Sequence, residues 1–568
     1  MRPFPTFDRP TAALADDRGA ALVAVLGWTA ILASLVAALM AFALNGSRQS
    51  AEDQDWHAAL GAAEAGVDDF VHRVNRDSTF WQDAVDCEDP DEAEGQPRCE
   101  FVDTPGAGSV GEYRYTVNTG EFEDTGGVTV VATGRVRDRT RTIEATIRRT
   151  TFLDFVYFTD YDMLPGRLND DCDGSDLETY YWQDGWDGTT RDSDCNTIRF
   201  VSDDVIDGPF HTNDVPLVEG SPTWNAQATS SNPQLDPTRD ELDDPDPNDG
   251  WADFCPYTNR CSPGTPDPDF QDGDPTYRPS QDMPPTNDAV RAAADPEDAT
   301  AGEGCLYLGP THVELLDGGQ MSVLSPLTPD SHNPGQGCPG HGNTGSHPDN
   351  GVIYVATGSE ADGSHPLEGS VIPSGDATLD SNPVESHLET YDPEAGDLFI
   401  EGTVDGHLTA ASANDVIISW HLEYANGTDS DEDLIGLIAQ NDVKVMGAVA
   451  GSRTGGPSFS TLDLPRHGTT FDDPRIHAGL LALNGVVKVQ NYAHVGDRGT
   501  LNITGAIAQR YRGPVGLTIG SGRSGYAKNY TYDWRLQRLS PPHFIEPVDA
   551  QYDVAEWAER VTPDVHRD

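Results

Sequence analysis

Cations are scarce in this chain: 35 Lys and Arg stand against 95 Asp and Glu among 568 residues, a formal charge of -60. Such a surface repels phosphate, so nucleic acid is not expected as a partner. Apolar residues are also thin at 36%, while glycine (57) and proline (41) are plentiful. That composition argues against a helical globule and for a β-rich body with long loops. The cysteines show no C-x-x-C spacing, which weakens zinc. No G-x-S-x-G, H-E-x-x-H, P-loop or dinucleotide fingerprint is present. "GSGRSG" (520 to 525) lacks the Lys-Ser/Thr ending of a phosphate loop and reads as a turn. No catalytic residue is therefore assigned, and no enzyme is expected.

Long apolar runs are missing too, with one exception. Ala20 to Leu44 is twenty-five residues without a charge, roughly 37 Å as a helix, enough for a bilayer core of about 30 Å. A secretory signal has a shorter apolar region. Membrane span is the first reading; a cleaved signal and a buried core helix are the alternatives. Arg2, Arg9 and Arg18 precede the span and Arg48 follows it, a small bias that puts the N-terminus in the cytoplasm. All eight cysteines follow the span, which suits an oxidising exterior. The expected localisation is a single-pass cytoplasmic membrane protein with its body outside the cell.

After the span, Leu60, Ala63, Val67, Phe70 or Val71, and Val74 form a helical stripe. Asn45-Gly46 between them has helix-breaking character. From Tyr113 to Thr151, apolar and polar residues alternate in three runs, as in a small antiparallel sheet. The arginines of "RTRTIEATIRRT" read as an exposed strand face, a functional basic patch being the alternative. From Leu164 to Glu303 no hydrophobic period is visible, which suggests loops. Further on, short Val/Ile/Leu strands meet recurrent corners at Asn414-Asp415, Asn441-Asp442 and Asn484-Gly485. Asn tolerates such corners and bonds locally, so a parallel β-helix or solenoid is expected, with a β-sandwich as the competitor.

The fold class is thus mainly β with a long N-terminal helix: a parallel β-helix or solenoid body plus a small α+β region. The divisions are a leader (1–19), transmembrane helix (20–44), amphipathic helix (45–81), small sheet (82–163), acidic loops (164–303), solenoid-like body (304–547) and C-terminal tail (548–568). Within the tail, Val554 to Val561 reads as an amphipathic helix that caps one end of the body.

The cysteines fall in sequence-near pairs, Cys87 with Cys99, Cys172 with Cys195, Cys255 with Cys261 and Cys305 with Cys338, one of 105 arrangements for eight. Asp171, Asp173, Asp176 and Glu178 surround Gly174, hard oxygen ligands suited to Ca²⁺ or simply a solvated acidic loop. No other cofactor is expected. His332, Cys338, His341 and His347 share one Gly-rich stretch, a zinc candidate or a disulfide-pinned loop.

"RGAALV" (18 to 23) and "AAEAGVDDFVHRVNRDSTFW" (62 to 81) resemble PilX-type, type IV pilus-associated proteins. "FLDFVYFTDYD" (152 to 162) and "GYAKNYTYDWRLQRLSPPHFIEP" (525 to 547) resemble the larger actinobacterial members. The resemblance implies processing around Arg18, Gly19 and Ala20, packing of the stem through Glu64, and pilus subunits and their assembly machinery as partners beside the membrane. It implies a structural role in pilus or pseudopilus assembly or in surface adhesion. One departure bears on this: the fifth residue after Gly19 is Ala24, where major pilins carry Glu. The rival from another class is a membrane-anchored β-helix enzyme acting on polysaccharide, since β-helices carry such chemistry on acidic clusters.

Overall fold

The computed structural model describes residues 20–82, 96–105, 111–120, 127–165, 180, 198–202, 204–235, 268–297, 304–329, 333–358, 394–447, 471–519, 522–548 and 550–560. The protein is mainly β with one long helix at its N-terminal end. The chain divides into two compact units.

The first unit is built on the helix α1 (Ala20–Arg76), 57 residues without interruption. Asn45-Gly46 does not end it. Its C-terminal part buries Ala59, Ala62, Ala63, Val67, Phe70 and Val74 against a sheet. In space that sheet runs Val102–Asp103, Glu112–Asn118, Gly127–Val136, Arg139–Arg149 and Tyr552–Arg560. Small residues allow a close approach. A Cβ on Gly134 would lie 2.1 Å from the Ala59 carbonyl oxygen and 2.3 Å from the Ala63 nitrogen, so only glycine fits where strand crosses helix. Phe70 then meets Tyr115 edge-on at 5.7 Å, and Asp69 accepts from both Arg73 (2.7 Å) and the Tyr115 hydroxyl (3.1 Å).

The last strand of that sheet corrects the reading of the tail. Tyr552–Arg560 is a strand, not a capping helix. "YDVAEWAER" carries both helical and alternating patterns, and the decision is tertiary: Arg141 pairs with Glu559, and Arg560 with Glu144. The arginine-rich strand Arg139–Arg149 is likewise not an exposed face. Arg141 and Arg148 are buried, and Arg139, Arg141, Arg148 and Arg149 pair with Glu52, Glu559, Asp154 and Glu546.

The second unit is made of parallel ladders. The longest takes Cys305–Leu308, Val352–Ala356, His407–Ser412, Leu434–Ala439, Arg475–Ala482 and Asp497–Tyr511 in succession. It continues through Tyr157–Tyr161, Phe210–Thr212, Ala228–Ser230 and Thr276–Tyr277. A second ladder joins Thr311–Leu316, Leu398–Val404, the first half of Val416–Tyr424, Val443–Val445 and Val487–Val489. A third runs from Leu422 through Ile476, the first half of Asp497–Tyr511, Gly522–Tyr532, Val205–Asp207 and Thr223–Trp224 to Asp269–Phe270. Several rungs repeat at 27 residues, for example Asn414 to Asn441 and Asn502 to Asn529. Rows of Val, Ile, Leu and Ala fill the interior, as expected of parallel strands covered on both faces.

The chain enters the longest ladder in its middle, at Tyr157–Tyr161, and winds outward to Thr276–Tyr277. It then passes through the helix α2 (Asp288–Ala294) to the opposite end, at Cys305–Leu308. From there it winds back until Ile507 pairs with Tyr157. The traverse is pinned as it goes: Gln440 donates to Pro285 O (2.8 Å), and Asn287 donates to Ser412 O (2.8 Å) and accepts from Tyr354 (2.8 Å). Ladder strands thus begin well before residue 304 and include pieces of two and three residues inside 164–303. Strands that short carry too few side chains to show a period.

Candidate functional site

The stem is the most distinctive surface. From Leu22 to Leu44 every large apolar side chain is exposed, the least of them, Val36, by 48%. A continuous apolar rod of this length in water calls for lipid or another protein around it. Further along the same helix, charge returns: Arg137 clasps Asp55 at 2.6 and 2.7 Å, Arg139 reaches Glu52 at 3.2 Å, and the Arg141 guanidinium lies 4.2 Å over Trp56. One helix therefore offers an apolar half and a half docked on its own sheet. Arg18 and Gly19 lie outside the described residues, and Ala20 is the first residue of α1. Glu64 is exposed. Apolar periodicity points to this face; the glycine on the facing strand and the arginine pairs depend on contacts distant in sequence.

At the ladder corners the Asn-Asp dipeptides are stacked. Asp397 Oδ1 accepts from Asn414 Nδ2 (2.7 Å) and from the Asp415 backbone N–H (3.0 Å). One rung on, Asn441 Nδ2 donates to Asn414 Oδ1 (2.7 Å), and the Asp442 N–H to Asp415 Oδ1 (2.9 Å). Asp442 Oδ1 in turn accepts from the Val486 N–H (3.0 Å). The third corner is Asn484-Gly485 because a Cβ on Gly485 would fall 2.2 Å from Asp442 Oδ1. Two buried lysines complete the stack: Lys444 reaches Asp415 at 2.6 Å and Lys488 reaches Asp442 at 3.4 Å. Burial pushes the Lys444 ammonium down, but the charges of Asp415 and Asp442 and the hydrogen bond to Asp415 outweigh it, and its pKa is raised. These carboxylates serve the backbone and lysines; no substrate group is needed to explain them.

Cys305 and Cys338 form a disulfide across 33 residues. Cys99 is disulfide-bonded as well. Cys87, Cys172, Cys195, Cys255 and Cys261 lie outside the described residues, as do Asp171, Asp173, Asp176, Glu178 and His332. In the Gly-rich stretch the disulfide takes Cys338 from the zinc alternative, His341 Nδ1 accepts from the Ser325 N–H (3.1 Å), and His347 Nε2 donates to Gln320 O (3.0 Å). Among the described residues, no group of three His, Cys, Asp or Glu is arranged for a metal. Replacing both Cys305 and Cys338 by Ser should cost about 3–4 kcal/mol, the chain-entropy value for a loop of this length. Thermal melting of the double variant checks this; an unchanged midpoint contradicts it.

Sequence reasoning also missed a cleft in the second unit. The boundary between the units crosses Arg139–Arg149 after Ala145 and Tyr552–Arg560 after Glu556; the cleft lies on the second unit's side of both, beside the strand Ala228–Ser230, and Arg148, Arg149 and Arg278 line it. Arg148 donates from Nε to Gln537 O (2.7 Å) and from Nη2 to Asp154 and to Leu536 O (3.1 Å). Arg149 Nη1 pairs with Glu546 at 2.7 Å. Arg278 lies 5.0 Å over the Phe155 ring, and among the described residues no carboxylate pairs with it. Behind the floor, His211 is fully buried between Thr229 (2.9 Å) and Asn213 (3.2 Å). Burial first, and then the charge of Arg278, push its pKa down to about 3.

No protein-family model matches the sequence, and no curated protein matches it. Among solved structures, the chain is similar to the competence-associated pilin ComZ from Thermus thermophilus, at 11% identity over 89% of this chain and 98% of that one. The TM-score is 0.24, a superposition too loose to decide fold or function.

Proposed function

We propose that this chain is a membrane-held, exported, pilin-like structural protein, acting in type IV pilus or pseudopilus assembly or in surface adhesion. The observation that carries the proposal is the division of α1: apolar and exposed through Leu44, then buried on its own sheet from Ala59 onward. A helix so divided serves as a membrane anchor and as an assembly stem with one geometry. The three ladders, the 27-residue rungs and the stacked Asn corners support a parallel β-helix as the displayed body. On this reading its rows of side chains present a long, stiff, acidic surface outside the cell.

The N-terminus of the mature protein from its native envelope tests the processing step. Mass spectrometry is expected to find a chain that begins at Ala20. A chain that retains residues before Gly19 would leave a permanent anchor and remove the filament role. The polysaccharide-enzyme alternative needs an acid pair with free oxygens in one groove. The stacked acids Asp397, Asp415 and Asp442 lend it no support, because backbone N–H groups and lysines already engage them.

A further inference from the structure

The arginine cleft is unusual for this chain. Three of its fourteen lining residues are Arg; with 35 Lys and Arg in 568 residues, composition alone would put fewer than one there. The three are not equally engaged. Asp154 is spent twice, on Arg148 and on the Thr151 N–H (3.0 Å), and Glu546 is held by Arg149. Among the described residues, Arg149 Nε is buried without an acceptor, and the Arg278 guanidinium has only the Phe155 face beneath it. Arg278, which has no carboxylate partner among the described residues, stands beside an apolar wall of Phe155 and Pro209 and makes a seat for an oxyanion.

The rim narrows the choice of oxyanion. Asp553 lines the same cleft, exposed, and among the described residues its Oδ1 accepts only from the neighbouring Val554 N–H (2.8 Å). Inorganic phosphate concentrates one to two negative charges on a compact centre and meets that carboxylate chiefly as a repulsion. A sugar acid does not, because it can turn a hydroxyl toward Asp553 while its carboxylate lies on arginine. The cleft holds about 260 Å³, small for a ligand site and suited to one sugar unit.

We propose that this cleft binds a single uronate unit of an acidic glycan, with its carboxylate on Arg278 and a ring hydroxyl on Asp553. This goes beyond the pilin-type reading and does not depend on how the stem is processed. The test uses the full chain in detergent micelles, titrated with galacturonate, galactose and inorganic phosphate by calorimetry. Galacturonate is expected to bind at least about tenfold more tightly than the other two, the scale of one charge-assisted contact. Arg278→Ala should lose about tenfold in galacturonate affinity with little change in melting temperature, since that side chain is half-exposed and has no carboxylate partner among the described residues. Asp553→Asn should raise phosphate binding. Equal binding of galactose or of phosphate, no binding of galacturonate, or wild-type affinity in Arg278→Ala would each overturn the proposal. If Arg278→Ala does not fold, the ligand ranking and Asp553→Asn still decide it.

Discussion

Full-length protein is expected to stay with the membrane pellet through an alkaline carbonate wash, and a variant without residues 20–44 is expected in the supernatant. Twenty-five uncharged residues in one helix can span the hydrocarbon, and their exposure leaves them no other apolar surroundings within the first unit. The same outcome should follow from two substitutions at mid-span. Leu32→Arg together with Leu35→Arg costs about 5–7 kcal/mol on the insertion scale, at about 2.5–3.5 per central arginine, enough to turn insertion into exclusion. The sheet-docked half of α1 does not use these positions, so the variant should keep its β-rich circular dichroism. Wild-type protein that retains Ala20–Leu44 and still appears in the carbonate supernatant would contradict the membrane reading.

Lys444→Met is expected to be the most damaging conservative change in the body. It removes one partner of a buried pair and leaves Asp415 charged, with the backbone of the next rung hydrogen-bonded to its other oxygen. Breaking such a pair costs about 3–5 kcal/mol, while replacing both partners costs far less. Lys444→Met with Asp415→Asn should therefore recover much of the loss, since Asn keeps an oxygen for the Asp442 N–H. The pH dependence has a definite sign. The folded-state pKa of Lys444 is raised, so its contribution is complete below the ordinary lysine value of about 10.4 and is lost as pH climbs above it. Melting curves of wild type and Lys444→Met should converge at strongly alkaline pH and stay apart at neutral pH. Equal melting temperatures at pH 7 would show that Asp415 has another source of compensation.

The stem was legible because its signals are local. An uninterrupted apolar run and a three-to-four-residue stripe specify a helix and its buried face without reference to any other part of the chain. The corners Asn414-Asp415 and Asn441-Asp442 were legible because Asn and Asp are turn residues that recur between short apolar strands, although their bonds run to the next rung, 27 residues away. Even Asn484-Gly485 could be aligned with them, although its reason, the Asp442 carboxylate in the space of a Cβ, is visible only in three dimensions.

Partners distant in sequence were not legible. Arg141 reads as an exposed strand residue until Glu559, 418 positions away, is laid beside it. The tail reads as a helix until that same pair makes it an edge strand. The arginine cleft joins residues near 150, 230, 278 and 553, a convergence that no window of sequence contains. The order of the ladder is the extreme case, with its first strand in sequence, Tyr157–Tyr161, closed by one of its last. Parallel strands are joined by long crossovers, a dozen residues or more, so local pattern states that a strand exists and not which neighbour it takes. That choice belongs to the packed interior, where the observed order of rungs stacks the Asn corners and seats the buried lysines on their aspartates.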